Sequence, residues 1–160
     1  MEHPYFGSLP DASDDLRWER RVDLAGRAIP LDMTSYVPVT RAQLDAASAF
    51  PSALPRFDAT ARGALTDESE GRETVDLYME HHLSVLPAAT VESLFATTSA
   101  SSITRELFLS RLVLKRVGLN PADEARTAVF DYTLDGGVTD YLVVVTFDAR
   151  GEITCIDMES

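Results

Sequence analysis

The chain has 160 residues, a hydrophobic fraction of 45% and a formal net charge of −12, from 26 acidic and 14 basic side chains. That size fits one domain able to bury about 70% of its extended surface, so neither disulfides nor a structural metal is needed to hold it. The acidic excess is spread along the chain, which excludes direct binding of nucleic acid or of an anionic membrane surface and favours a basic protein partner.

The first element signals are β-type. A short aromatic stretch, Tyr5 to Leu9, is followed by the polar turn 10–15. Leu16, Trp18 and Arg20 then alternate with Arg17, Glu19 and Arg21, and Ala25-Gly26 marks a turn into a second strand, Ala28 to Met33. Pro30 cannot donate to a ladder, which predicts an edge strand or a bulge there.

The middle of the chain is helical. Thr40 with Gln43 fits a capping box, after which Leu44, Ala47 and Phe50 recur at helical spacing. Pro51 and Pro55 divide this helix from a second one carrying Phe57, Ala61 and Leu65. An acidic loop, 66–71, leads to a third helix from about Arg72, with Val75, Tyr78, Met79, His82 and Leu86 on one stripe. Val91, Leu94 and Phe95 predict a short fourth helix, and 97–102 a small polar loop. The run 103–119 reads either as one long helix stopped by Gly118 and Pro121 or, the preferred reading, as a helix to about Ser110 and a strand beyond it with a change of face between Leu114 and Val117.

The last third reads as a meander. Ala128 to Leu134 alternates, Asp135-Gly136-Gly137 turns, Tyr141 to Phe147 is apolar on both faces, and Asp148 to Gly151 fits a type I turn with a glycine bulge. Ile153 to Met158 completes the third strand, where the lone Cys155 is expected as a small buried apolar residue. The order predicts one α+β domain: N-terminal strands in 1–39, helices in 40–110 and a β-meander in 111–160. The sheet is mostly antiparallel, with the helical segment packed on one face.

These residues carry a resemblance. Phe130 to Leu134, Thr139 to Phe147, Asp148, Gly151, Ile153 and Met158 to Ser160, with Phe6-Gly7, Leu9 and Trp18, resemble the bacterial domain-of-unknown-function 2004 family. The resemblance implies a cytosolic bacterial protein and an α+β fold, and it brings no activity or catalytic residues. A cytosolic setting also follows from the N-terminus, which lacks the basic and apolar regions of a signal peptide. Small acidic bacterial proteins of this build are often immunity proteins that neutralise a toxin by binding it.

Candidate chemistry is thin. Glu80-His81-His82 holds the one histidine pair, but adjacent helical residues point about 100° apart and do not share a metal easily. Asp131, Asp135, Asp140, Asp148 and Asp157 are the meander carboxylates, two of them in turns. No phosphate-binding loop, nucleophile elbow or Cys-x-x-Cys occurs, and no cofactor is expected. The reading is a non-enzymatic binding protein, of the immunity type, whose carboxylates Asp67, Glu68, Glu70, Glu73, Asp76 and Glu80 face a basic partner. The alternatives are a small hydrolase or metal-dependent enzyme built on His81, His82 or the meander aspartates, and a structural or regulatory homo-oligomer joined at the C-terminal strand edge.

Overall fold

The structure, a computed structural model, describes residues 1–10, 15–67 and 72–160. A small hairpin, β1 (Glu2–His3) and β2 (Gly7–Ser8), precedes a six-stranded sheet. The sheet strands are β3 (Leu16–Leu24), β4 (Arg27–Ser35), β5 (Leu112–Leu119), β6 (Ala128–Leu134), β7 (Leu142–Phe147) and β8 (Ile153–Glu159), paired in that order. Every pairing is antiparallel except β4 with β5. The helices α1 (Arg41–Ser52), α2 (Leu54–Thr66), α3 (Arg72–Val85), α4 (Ala88–Phe95) and α5 (Arg105–Leu109) fill the crossover between those two parallel strands. The chain is α+β. Among the described residues no helix is long and apolar enough to cross a membrane.

Local chemistry explains the element ends. Ala25 and Gly26 both take positive φ, 51° and 81°, which matches a two-residue hairpin turn to the twist of β3 and β4. The capping box at α1 forms as expected: Gln43 N–H donates to Thr40 Oγ1, and Thr40 N–H donates to the Gln43 side-chain carbonyl. Pro55 sits in the first turn of α2, where its missing N–H costs nothing.

One face of the sheet carries the core. Ile29, Leu31 and Met33 of β4, Val117 and Leu119 of β5, Phe130 and Tyr132 of β6, and Val143, Val145 and Phe147 of β7 are all buried there. Phe50 of α1 and Phe57 of α2 lie 4.5 Å apart by ring centroid and pack onto Phe147 at 5.7 and 5.6 Å. Burial of each such side chain stabilises the fold by about 1.5–3 kcal/mol. The face change in β5 is a bulge: the register to β6 shifts between Leu114 and Arg116.

Two expectations are corrected. Pro30 lies neither in an edge strand nor in a bulge, because β4 is interior to the sheet. It is tolerated because the parallel ladder to β5 starts at Leu31, immediately past the residue that lacks a donor. Cys155 is exposed, not buried. A register shift beside Phe147 displaces Thr154, and Cys155 then stands opposite Thr146 on the helix-free face of an edge strand.

The closing turn is tightly specified. Asp148 Oδ1 accepts from the N–H groups of Arg150 and Glu152, each at 2.9 Å. Gly151 has a φ of 84°, and a Cβ there would lie 2.9 Å from a Phe57 ring carbon. Gly151→Ala should therefore lose about 2–4 kcal/mol, combining a left-handed backbone with a core clash. Gly26→Ala shares the positive φ but meets open space, and should lose only about 1–2 kcal/mol. Thermal or urea unfolding of both variants checks the difference, and equal losses would contradict the clash.

Candidate functional site

The acidic positions singled out in the sequence fall on α3 and its approach. Glu73, Asp76 and Glu80 are exposed on α3, and Asp67 is the exposed C-cap of α2. Glu68 and Glu70 lie outside the described residues. The amphipathic stripe of α3 turns Val75, Tyr78 and His82 into the core, with Met79 and Leu83 packed against it, so the opposite side of the helix faces outward. Leu77 lies between Glu73 and Glu80 on that outer face and is 52% exposed, and Val85 near the helix end is 59% exposed.

The carboxylates of α3 are not equivalent. Asp76 accepts from Arg105 Nε at 3.1 Å, while the Arg105 guanidinium donates to the carbonyls of Leu65 (2.8 Å) and Thr66 (3.1 Å) at the end of α2. One arginine thus closes the α2 C-terminus, where unpaired carbonyls favour a cation, and ties it to α3 and α5. Glu73 and Glu80 form no ion pair among the described residues. Their charge is displayed to solvent.

The histidines are separated in role. His82 is 1% exposed. Its Nδ1 lies 2.7 Å from the Tyr78 carbonyl, which can only accept, so Nδ1 carries the proton. Nε2 therefore accepts from the Thr139 hydroxyl at 2.8 Å. Tyr78 Oη donates to the Tyr141 carbonyl at 3.0 Å, so α3 holds the β6–β7 connection through two side chains. His81 is half-buried, with its ring 4.8 Å from that of Tyr141.

The meander aspartates do not converge. Asp135 follows β6 and pairs with Arg27. Asp140 and Asp148 flank opposite ends of β7, with Asp148 committed to its own turn. Asp157 accepts from its neighbour Met158 N–H at 2.8 Å. Among the described residues no three His, Cys, Asp or Glu side chains gather where a metal could be held.

A feature the sequence reading missed occupies the helix-free face. Arg116 donates to both oxygens of Asp32 on β4 and, through Nη1 at 2.9 Å, to Asp131 on β6. The bulge in β5 aims the guanidinium across three strands. The Asp131 side chain is 6% exposed; burial pushes its carboxyl above the usual range, and Arg116 opposes that only partly. A groove of about 610 Å³ runs beside this bridge over β3 and β4, with Arg17, Glu19, Arg21 and Asp32 along it. Two polar residues distant in sequence, Asp32 and Asp131, gave no local signal of a shared partner.

Burial holds the His82 imidazole below its usual value, against the opposing pull of the Tyr78 carbonyl. The unfolded chain then takes up its proton first as pH falls. His82 should stabilise the fold fully above pH about 6.5 and lose that contribution as pH drops through the depressed folded value. Thermal midpoints of wild type and His82→Gln between pH 7 and 5 check this, and parallel curves would contradict it. Asp131→Asn keeps an acceptor for Arg116 and removes a buried charge, so stability at pH 7 should change by less than about 1 kcal/mol. Arg116→Met leaves two carboxylates uncompensated and should cost roughly 2–4 kcal/mol, the lower end reflecting the solvent around the guanidinium. Urea unfolding of the two variants measures both, and equal losses would contradict the bridge.

No family model matches the chain, and no curated protein or solved structure matches it.

Proposed function

We propose that this protein is a binding module for a basic protein surface, of the kind by which an immunity protein neutralises a toxin in the cytosol of a bacterium. The observation that carries the reading is the outer face of α3, where the exposed carboxylates of Glu73 and Glu80 flank the exposed Leu77. An apolar contact ringed by like charges suits a partner with a hydrophobic centre and a cationic rim. The net charge of −12 extends the attraction beyond contact and raises the association rate. Asp76, held by Arg105, belongs to the frame of the surface more than to its free charge. On the same footing, the resemblance carried by the C-terminal residues supports membership of the domain-of-unknown-function 2004 family.

The test uses the native host. A basic partner captured by the wild-type chain should be lost with Glu73→Lys/Glu80→Lys and weakened at least tenfold by Leu77→Ala, about 1.4 kcal/mol or more. Its association rate should fall steeply with added salt. A partner retained equally by all three proteins, or bound at a salt-independent rate, would place the binding surface elsewhere.

A further inference from the structure

β3 ends the sheet on one side; among the described residues its backbone ladder runs to β4 alone, and the Trp18 indole donates to the Phe6 carbonyl of the N-terminal hairpin. The two-residue turn makes Leu24 and Arg27 exchange hydrogen bonds, so the even-numbered residues of β3 direct their backbone groups to β4. Arg17, Glu19, Arg21 and Asp23 then aim their N–H and C=O groups outward from the sheet. The side chains of these four are exposed, and Arg17, Glu19 and Arg21 form no ion pair among the described residues. Among the described residues the outward backbone groups of this edge meet no partner, and of its four charged side chains only Asp23 is engaged, accepting from the Gly26 N–H of its own turn.

The strand Leu-Arg-Trp-Glu-Arg-Arg-Val-Asp-Leu is complementary to itself. Set antiparallel to a second copy about Arg20, it places Arg17 opposite Asp23, Glu19 opposite Arg21, Trp18 opposite Val22 and Leu16 opposite Leu24. The residues with outward backbone groups face one another in this register. Moving the axis to Glu19 sets Arg17 against Arg21; moving it to Arg21 sets Glu19 against Asp23. Both alternatives oppose like charges, which is unfavourable directly across a ladder. Only Arg20 meets itself in the favoured register, and its guanidinium lies 5.9 Å over the rings of Tyr5 and Trp18 on its own chain.

The opposite edge lacks these properties. β8 presents Asp157 and Glu159 with no basic residue in the strand. Its Met158 N–H is taken by the Asp157 carboxylate and its Ile156 carbonyl accepts from Thr74 at 3.4 Å. Two β8 edges would repel and are partly blocked. β3 carries three arginines against Glu19 and Asp23, a cationic strip on an acidic chain.

We propose that the chain forms a twofold dimer by antiparallel pairing of β3 with β3 of a second copy, in the register centred on Arg20. The pairing joins two six-stranded sheets across the axis and leaves both α3 faces free at its far ends.

Sedimentation equilibrium on the full chain tests the proposal. Wild type should show a reversible monomer–dimer equilibrium. Glu19→Arg and Arg21→Glu alone each set like charges across the axis and should weaken the dimer roughly tenfold or more. An equimolar mixture of these two variants should associate again. In the mixed pair the two substituted positions, 19 in one copy and 21 in the other, face each other with opposite charge, and the native Arg21 and Glu19 do the same. The double variant Glu19→Arg/Arg21→Glu should recover wild-type association. Arg21→Pro removes an outward donor from an edge strand and should abolish the dimer. Circular dichroism verifies that each variant is folded; for any that is not, slower amide exchange at Glu19 and Arg21 in concentrated wild type supplies the readout. A wild type that is monomeric at every concentration overturns the proposal. So does a dimer that the single charge swaps leave intact, or single variants that fail to associate when mixed.

Discussion

The parallel pairing of β4 with β5 sets the terms for the rest of this structure. Two neighbouring strands that run the same way cannot be joined by a tight turn, so the chain must leave one end of the sheet and return to the other. Here the return is made by five helices: Phe50 of α1 and Phe57 of α2 pack on Phe147, α3 lies against β7 and β8, and Phe95 of α4 and Phe108 of α5 join the same core. Antiparallel hairpins elsewhere need no such cover. The result is a sheet with a helical side, a helix-free side and two edge strands.

That asymmetry distributes charge. The helix α3 packs near β7 and β8, and its outer carboxylates add to Asp157 and Glu159 at that end of the sheet. The arginines of β3 gather at the other end. On the helix-free face between them, Arg116 holds Asp32 and Asp131 together, so the carboxylates at the middle of the sheet share an internal cation. A chain with a uniform acidic excess in sequence becomes a molecule with an acidic end and a cationic rim.

Much of the fold is legible in the sequence. The capping box at Thr40, the apolar stripe of α3, the turns at Ala25-Gly26 and Asp148-Gly151, and the split of 103–119 into helix and strand are all carried by residues close in sequence. Short-range geometry decides such features. The errors were of another kind. The missing donor of Pro30 is a local fact that points to an edge or a bulge, while the offset start of the β5 ladder that accommodates it is not local. Cys155 was expected inside because its neighbours are apolar, and a register shift one residue away turned it out.

The candidate surfaces divide in the same way. The carboxylates of α3 were visible as a cluster because helical spacing gathers residues three and four apart. The sequence by itself also determined the self-complementary pattern of β3, since strand alternation places Arg17, Glu19, Arg21 and Asp23 on one face wherever the strand lies. Only the tertiary structure decided that β3 is an edge and that Leu77 is left uncovered. It alone brought Asp32, Arg116 and Asp131 into one bridge and gave Asp76 to Arg105. Periodicity states which side chains share a face; which face is buried, and against what, depends on long-range pairing that no local run of residues encodes.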